Sequence, residues 1–167
     1  MSFRALRARR GALVVAALAL VVLTAACVPA PSAGPPPASS GGGGGGGAGG
    51  IVNGLNAARA QAGLPGFAVD GGMNGNAQFH ANRLASGGGG CNNLWHSGEL
   101  GAWYAGHASG ENVACISPCQ GNAGVVVGMW LNSPPHRANI LNGGYSFVGV
   151  GVACNSGAMY AVAQFRS

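Results

Sequence analysis

The chain has 167 residues, of which 48% are hydrophobic and only 7% are charged, and its formal net charge is +5. Half of its eight basic residues precede the first apolar run, so the rest of the chain carries four arginines against three carboxylates, a net charge of +1. This balance gives no support to a nucleic-acid-binding surface, and no nucleic-acid partner is expected.

The N-terminus has the pattern of an export signal. Four arginines, the last of them Arg10, are followed by the apolar run GALVVAALALVVL and then by TAAC, which ends at Cys27. The run is shorter than the roughly 20 residues that a membrane-spanning helix needs, so a secretory signal peptide over residues 1–26 is predicted. Small residues before a cysteine resemble a bacterial lipobox, which predicts a lipid on Cys27. Because Thr24 stands where that motif more often has Leu, simple cleavage nearby is the alternative.

A linker follows the signal. Residues 27–50 are rich in proline in their first half and in glycine in their second, and they show no periodic apolar face. Such a segment cannot bury enough surface to offset the entropy of ordering, so it is predicted to be a tether. The remaining 117 residues, 51–167, are predicted to form one domain.

The first half of the domain predicts two helices. One starts at Ile51 and ends at Gly63, where Leu-Pro prevents continuation. The second runs from Asp70 to about Ser86. His80 falls on the apolar face of this second helix and is predicted to be a hydrogen-bonded core histidine rather than a ligand.

The second half predicts helices and then strands. A short helix covers 122–131, and Ser133 is predicted to cap a further turn that starts at Pro134. FVGVGVAC and AMYAVAQF, joined by NSG, predict an antiparallel hairpin whose glycines allow a helix to pack closely. Helices followed by a hairpin indicate an α+β domain in which helices cover an antiparallel sheet.

The cysteines predict two disulfides. If Cys27 carries a lipid, an even set remains in an exported domain, namely Cys91, Cys115, Cys119 and Cys154. Three connectivities are open, one of which closes the short loop CISPC and pairs the outer two cysteines. A zinc site built on the C-x3-C spacing is the alternative, and the irregular spacing of the four cysteines disfavours it.

Three segments carry the candidate chemistry: HS at 96–97, GEN at 110–112 and HRANIL at 136–141. Two imidazoles and a carboxylate are sufficient for a zinc site that keeps one position for water. The plainer interpretation of the GEN segment is that its polar side chains cap a turn and bind backbone amides. Spacing alone cannot decide between these interpretations.

The motifs NAARAQAGLPGFAVD, NAQFHANRLAS, HSG, GENVA, WLNSPPHRANIL and YSFVGVGVA occur in the order seen in bacterial members of the CAP superfamily, the SCP-like extracellular proteins, which this chain resembles over 51–165. The resemblance implies an α–β–α sandwich with a central antiparallel sheet. It also implies a cleft in which His96 and His136 are the two histidines and Glu111 is an acidic residue. Ser133 stands where many relatives outside the bacterial subgroup carry another Glu, so a four-residue mechanism is not carried over.

The stretch 96–114 is interpreted as a loop that supplies two cleft residues, His96 and Glu111. Its other two titratable residues, Glu99 and His107, are interpreted as bystanders without a role in the cleft. His107 matches no motif and is expected to face solvent, and Glu99 has no predicted partner. Trp95 and Trp130 are expected to pack beside the cleft rather than to recognise a ligand.

Three functions follow, and binding is favoured over catalysis. The first is an exported or lipid-anchored binding module whose cleft holds Zn²⁺ or another divalent cation through His96, Glu111 and His136, with an envelope, lipid or protein ligand. The second is a metal-dependent hydrolase of envelope or extracellular polymers, with Glu111 and His136 as catalytic residues. The third is a structural or interaction domain. Contact with a membrane is expected only through the N-terminal lipid.

Overall fold

Four strands form one sheet in the order β1-β3-β4-β2, and helices cover both of its faces in this computed structural model. The structure describes residues 47–88, 90–120 and 122–167, so the predicted signal peptide, Cys27 and most of the predicted linker lie outside the described residues. In chain order the elements are α1 (Ala48–Gln61), β1 (Ala68–Val69), α2 (Gly71–Ser86), a 3-10 turn (Gly90–Asn92), α3 (Leu100–Trp103), β2 (Ser109–Ile116), α4 (Ala123–Asn132), α5 (Pro134–Ile140), β3 (Phe147–Asn155) and β4 (Ala158–Arg166). No helix within the described ranges is long and apolar enough to cross a membrane.

Helix α1 begins three residues earlier than the predicted domain boundary. The amide of Ile51 already donates to the carbonyl of Gly47, at 3.2 Å, as the first bond of the helix. Because an α-helical bond joins an amide to the carbonyl four residues earlier, this bond places the start of α1 before Ile51. The predicted linker is therefore too long by three residues at its C-terminal end, since Ala48–Gly50 are helical.

Helices α2, α4 and α5 begin where the sequence predicts. The Asp70 side chain accepts a hydrogen bond from the amide of Met73 at 3.0 Å, which caps α2. Asn122 caps α4 in the same way through the amide of Gly124, at 2.7 Å. Helix α5 begins at Pro134, as predicted, and Ser133 occupies the N-cap position, but its side chain makes no capping hydrogen bond.

The predicted hairpin is the centre of the sheet. Strands β3 and β4 are antiparallel and are joined by Ser156 and Gly157, which both have positive φ, the conformation that a tight two-residue turn requires. Strand β2 extends the antiparallel pairing along the other side of β4, and the two-residue β1 pairs parallel to β3. The predicted antiparallel sheet is thus confirmed, with one short parallel strand at an edge.

Helix α2 lies directly on the glycines of β3. A Cβ atom added to Gly149 would come within 2.2 Å of the backbone of Met73, and one added to Gly151 would come equally close to Gln78. The glycine face predicted to receive a helix does so. Helices α1, α4 and α5 cover the opposite face, and this completes the α–β–α sandwich.

The disulfides join Cys91 to Cys115 and Cys119 to Cys154. The pairing that closes CISPC is therefore wrong, and no cysteine thiol of these four is left for a zinc site. Cys115 is buried among the residues that pack under α2, near the 3-10 turn that carries Cys91. Cys119 lies beyond the end of β2 and reaches the far end of β3 instead.

Candidate functional site

The GEN segment lies on a strand and not in a loop. Residues 109–116 form β2, the outermost strand on its side of the sheet, so the prediction of one continuous loop over 96–114 is wrong. Residues 100–103 also form a short helix, α3. Because successive side chains on a strand point to opposite faces, Glu111 and Asn112 serve different layers of the sandwich.

Glu111 is buried on the α2 face, and its carboxylate is fully engaged. Oε1 accepts hydrogen bonds from the amide of Ser97, at 2.8 Å, and from Nδ1 of His96, at 3.0 Å. Oε2 accepts one from Nε2 of Gln164, at 2.9 Å, and Gln164 in turn accepts one from the hydroxyl of Tyr104. The carboxylate therefore holds the 96–97 segment against the sheet edge.

This contact fixes the ring of His96. Since Nδ1 donates to Glu111, Nε2 is the ring nitrogen that keeps its lone pair in the neutral imidazole. The side chain of His96 is 58% exposed, whereas that of Glu111 is 1% exposed. A buried carboxylate thus orients an exposed imidazole.

Asn112 connects the opposite face of the sheet to the segment that carries His136. Its Nδ2 donates to the carbonyl of His136 at 3.0 Å, and its Oδ1 accepts from Nδ2 of Asn139 at 2.9 Å. These bonds tie α5 to β2. Burial first, and the electrostatic influence of the nearby His96 second, lower the pKa of His136. The imidazole of His136 is therefore neutral near pH 7.

His80 is a core histidine, as predicted. It is fully buried, and its Nε2 donates to the carbonyl of Trp95 at 3.0 Å, because a carbonyl can only accept. The same nitrogen lies 3.9 Å from Oε1 of Glu111. Nδ1 of His80 has no hydrogen-bond partner among the described residues. His80 therefore supports the segment that carries the cleft residue His96.

The donor set fits a two-histidine site better than a three-ligand one. Within the described ranges, no group of three or more His, Cys, Asp or Glu side chains is arranged to hold a metal ion. Both oxygens of Glu111 accept hydrogen bonds from protein donors, so this carboxylate faces inward as the partner of His96. Imidazole nitrogens from His96 and His136 remain as candidate ligands.

The two bystanders, Glu99 and His107, lie in different surroundings. No partner is predicted for Glu99; in the structure it pairs with Arg83 and accepts a hydrogen bond from the hydroxyl of Ser97 at 2.8 Å. The hydroxyl of Ser97 first, and Arg83 second, lower the pKa of Glu99. His107 is exposed, as predicted.

The two tryptophans pack as expected. Trp130 is buried and donates from its indole to the carbonyl of Val113 at 3.1 Å. Trp95 meets the ring of His80 edge-on, with centroids 6.1 Å apart. Trp130 is therefore out of reach of a ligand, whereas Trp95 is partly exposed.

Sequence reasoning missed Gln164 and Tyr104, which complete the hydrogen bonding of Glu111. The signal for Gln164 was present, because it is the single amide in the apolar strand AMYAVAQF. Its partner could not be predicted, since Gln164 faces Glu111 only through the register between β2 and β4. Tyr104 gives no signal of its own in the sequence.

The chain matches a known family over most of the described residues. A family model described as "CAP: Cysteine-rich secretory protein family" matches residues 52–165. No curated protein shows a significant match to the chain.

Solved structures share the fold. An extracellular protein containing an SCP domain from Bacillus anthracis is 25% identical with a TM-score of 0.57, and the match covers 69% of this chain but only 38% of that one. An outer surface protein from Borrelia burgdorferi is 17% identical with a TM-score of 0.59, over 70% and 89% of the two chains. NaASP2 with Zn²⁺ is 16% identical with a TM-score of 0.52, over 69% and 74%.

Proposed function

We propose, since the chain belongs to the CAP cysteine-rich secretory protein family, that it is an exported binding module whose cleft takes a divalent cation between His96 and His136. The observation that carries the proposal is the hydrogen bond from Nδ1 of His96 to the buried carboxylate of Glu111. Metal-binding histidines generally donate their other ring nitrogen to a carboxylate or carbonyl, which fixes the tautomer and the ring orientation.

The second histidine suits the same role. Asn112 holds the backbone of His136, and the lowered pKa of His136 keeps its imidazole in the neutral form that binds metals. Zinc is the reference ion because it accepts imidazole ligands and lets water fill the remaining positions. The Zn²⁺ named with the related NaASP2 structure supports this choice.

Export is part of the proposal. Two disulfides in the described domain are typical of an oxidising compartment. Two related structures are described as an extracellular protein and an outer surface protein. With the predicted signal peptide over 1–26 and a lipid on Cys27, the domain would be displayed outside the cell, where an envelope, lipid or protein component would be its ligand.

Binding is favoured over metal-dependent hydrolysis. A general base must reach the water from which it takes a proton. The side chain of Glu111 is 1% exposed, and both of its oxygens already accept hydrogen bonds. Glu99 is paired with Arg83. Neither carboxylate is placed to activate a water molecule.

The test is a calorimetric titration of zinc into the metal-free, disulfide-bonded protein. We expect saturable one-to-one binding, weakened at least about tenfold by His96→Ala and by His136→Ala, because each change removes one ligand. His107→Ala is the matched control, since His107 is an exposed histidine that matches no cleft motif, and it should leave zinc affinity unchanged.

Two results would reject the metal site. One is the absence of zinc binding, and the other is equal binding by the parent protein and His136→Ala. Either would leave a structural or interaction domain. That function would be marked by a fall in Tm on removing either cleft histidine, with no change in any bound ion.

A further inference from the structure

A second, separate groove lies at the N-terminal end of α2. It has a volume of about 430 Å³, within the range of small-molecule sites. Helix α2, the segment around α3 and the end of β4 form its walls. The side chains that line it with polar or aromatic groups are Asp70, Asn76, Trp103, Tyr104, His107 and Arg166.

The charges of this groove are balanced internally. Nη2 of Arg166 donates to Oδ2 of Asp70 at 2.9 Å. The amide of Met73 first, and Arg166 second, lower the pKa of Asp70, so its carboxylate is ionised near pH 7. One cation and one anion that neutralise each other do not select a charged ligand. The groove is therefore suited to a neutral polar molecule.

The walls are held before any ligand arrives. The guanidinium of Arg166 lies 4.1 Å from the centroid of the Phe147 ring. The hydroxyl of Tyr104 donates to Gln164 and accepts from Asn76 at 3.4 Å. Side chains fixed by the protein lose little entropy on binding, which favours recognition of a weakly binding polar ligand.

Several planar groups in the groove keep hydrogen-bonding capacity. Arg166 carries five N–H donors, of which the structure uses one for Asp70 and one for a backbone carbonyl. The side-chain carbonyl of Asn76 and the ring of His107 are not engaged by described residues. Trp103 adds an apolar ring beside these groups. Paired donors and acceptors around an aromatic ring match the alternating hydroxyls and apolar C–H face of a sugar.

We infer that this groove is a binding site for a neutral oligosaccharide built of hexose or N-acetylhexosamine units. The site is distinct from the histidine cleft, because neither His96 nor His136 lines it. It gives the exported domain a contact with a glycan surface that does not depend on a metal ion.

The experiment titrates the protein with the trimer of N-acetylglucosamine and with maltotriose, followed by tryptophan fluorescence and by saturation-transfer NMR. A heparin-derived disaccharide serves as the anionic probe. We expect saturable binding of at least one neutral trimer at millimolar concentration. Asn76→Ala and His107→Ala should each weaken it at least about tenfold, since each removes a hydrogen-bonding group from the groove. Trp103→Ala tests the aromatic wall, and circular dichroism shows whether each variant is folded.

His136→Ala is the matched control, because it should weaken zinc binding at least about tenfold and leave sugar binding unchanged. The two histidine variants therefore separate failure of this site from failure of the metal proposal. Absence of binding by both neutral trimers, binding that neither Asn76→Ala nor His107→Ala weakens, or binding of the anionic probe alone would overturn the inference.

Discussion

Two buried charges in this domain have opposite surroundings. Arg59 is 1% exposed and donates only to backbone carbonyls, those of Pro65, Ile140, Asn142 and Tyr145, while its guanidinium lies 3.9 Å from the centroid of Phe67. Glu111 is similarly buried, but one of its partners is an exposed imidazole. Arg59 joins α1 to the chain around α5, whereas Glu111 orients a group that meets solvent. The partner of a buried charge, more than its burial, tells a structural role from a functional one.

The largest effect is expected at Arg59. Arg59→Met keeps much of the packing but removes a donor from four carbonyls. That of Asn142 still accepts from the amide of Tyr145, so three are left unsatisfied, each at a cost of about 1–3 kcal/mol. We expect the free energy of unfolding to fall by at least about 3 kcal/mol in urea denaturation. Zinc affinity of the folded fraction should not change.

Arg137→Met is the matched control, because Arg137 is exposed on α5. Surface substitutions usually alter stability by less than about 0.5 kcal/mol. If the two arginine variants were equally stable, the four carbonyl contacts of Arg59 would not contribute to folding. Arg59 would then not have the structural role that contrasts with Glu111.

An intermediate effect is expected for Glu111→Gln, which should lower both the unfolding free energy and the zinc affinity. Glu111→Gln weakens charge-assisted hydrogen bonds, so the unfolding free energy should fall by about 1–3 kcal/mol. Changes to the partner of a metal-binding histidine typically reduce metal affinity about 10- to 100-fold. Urea denaturation and zinc calorimetry measure the two effects on the same preparation. Unchanged zinc affinity in a folded variant would show that Glu111 does not act through His96.

The smallest effect is expected at Asp70, which is partly exposed and pairs with Arg166. Its pKa is lowered, so its contribution to stability is complete above the ordinary value of about 3.9 and is lost as the pH falls through the folded value. Asp70→Asn keeps a good helix cap but removes the charge. As the pH falls from the ordinary pKa of Asp, about 3.9, through the lower folded pKa of Asp70, the variant should therefore lose less stability than the parent.

Thermal unfolding at a series of pH values measures this difference. At pH 7 the variant should be less stable by no more than about 1 kcal/mol, as for an exposed ion pair. Identical acid profiles would show that neither the amide of Met73 nor Arg166 lowers the pKa of Asp70.

The parts of the fold that the sequence predicts are those with local signals. Asp70 and Asn122 are capping residues directly before helices, and the glycines of β3 alternate with valines, which indicates a strand under a helix. Strand β2 has no comparable signal. The stretch SGENVACI becomes a strand by pairing with β4, a contact between residues about 50 apart in the chain.

The candidate site follows the same division. His96, Glu111 and His136 are found from motifs in the sequence, but their roles depend on which neighbours the sheet register supplies. Gln164 lies opposite Glu111 and donates a hydrogen bond to Oε2, the carboxylate oxygen that Glu111 would need in order to act as a metal ligand. The disulfide pairing likewise depends on where the strands end, and residue spacing contains no information about that.

The two glycines under α2 have a consequence for the cleft, although they lie two strands away from β2. They set the depth at which α2 rests, because the helix backbone occupies the space where side chains would otherwise stand. His80 on that helix holds the carbonyl of Trp95, next to the cleft segment. Gly149 and Gly151 therefore fix the distance between α2 and the sheet. A bulkier residue at either position would displace His80 and, through its bond to Trp95, the segment that carries His96.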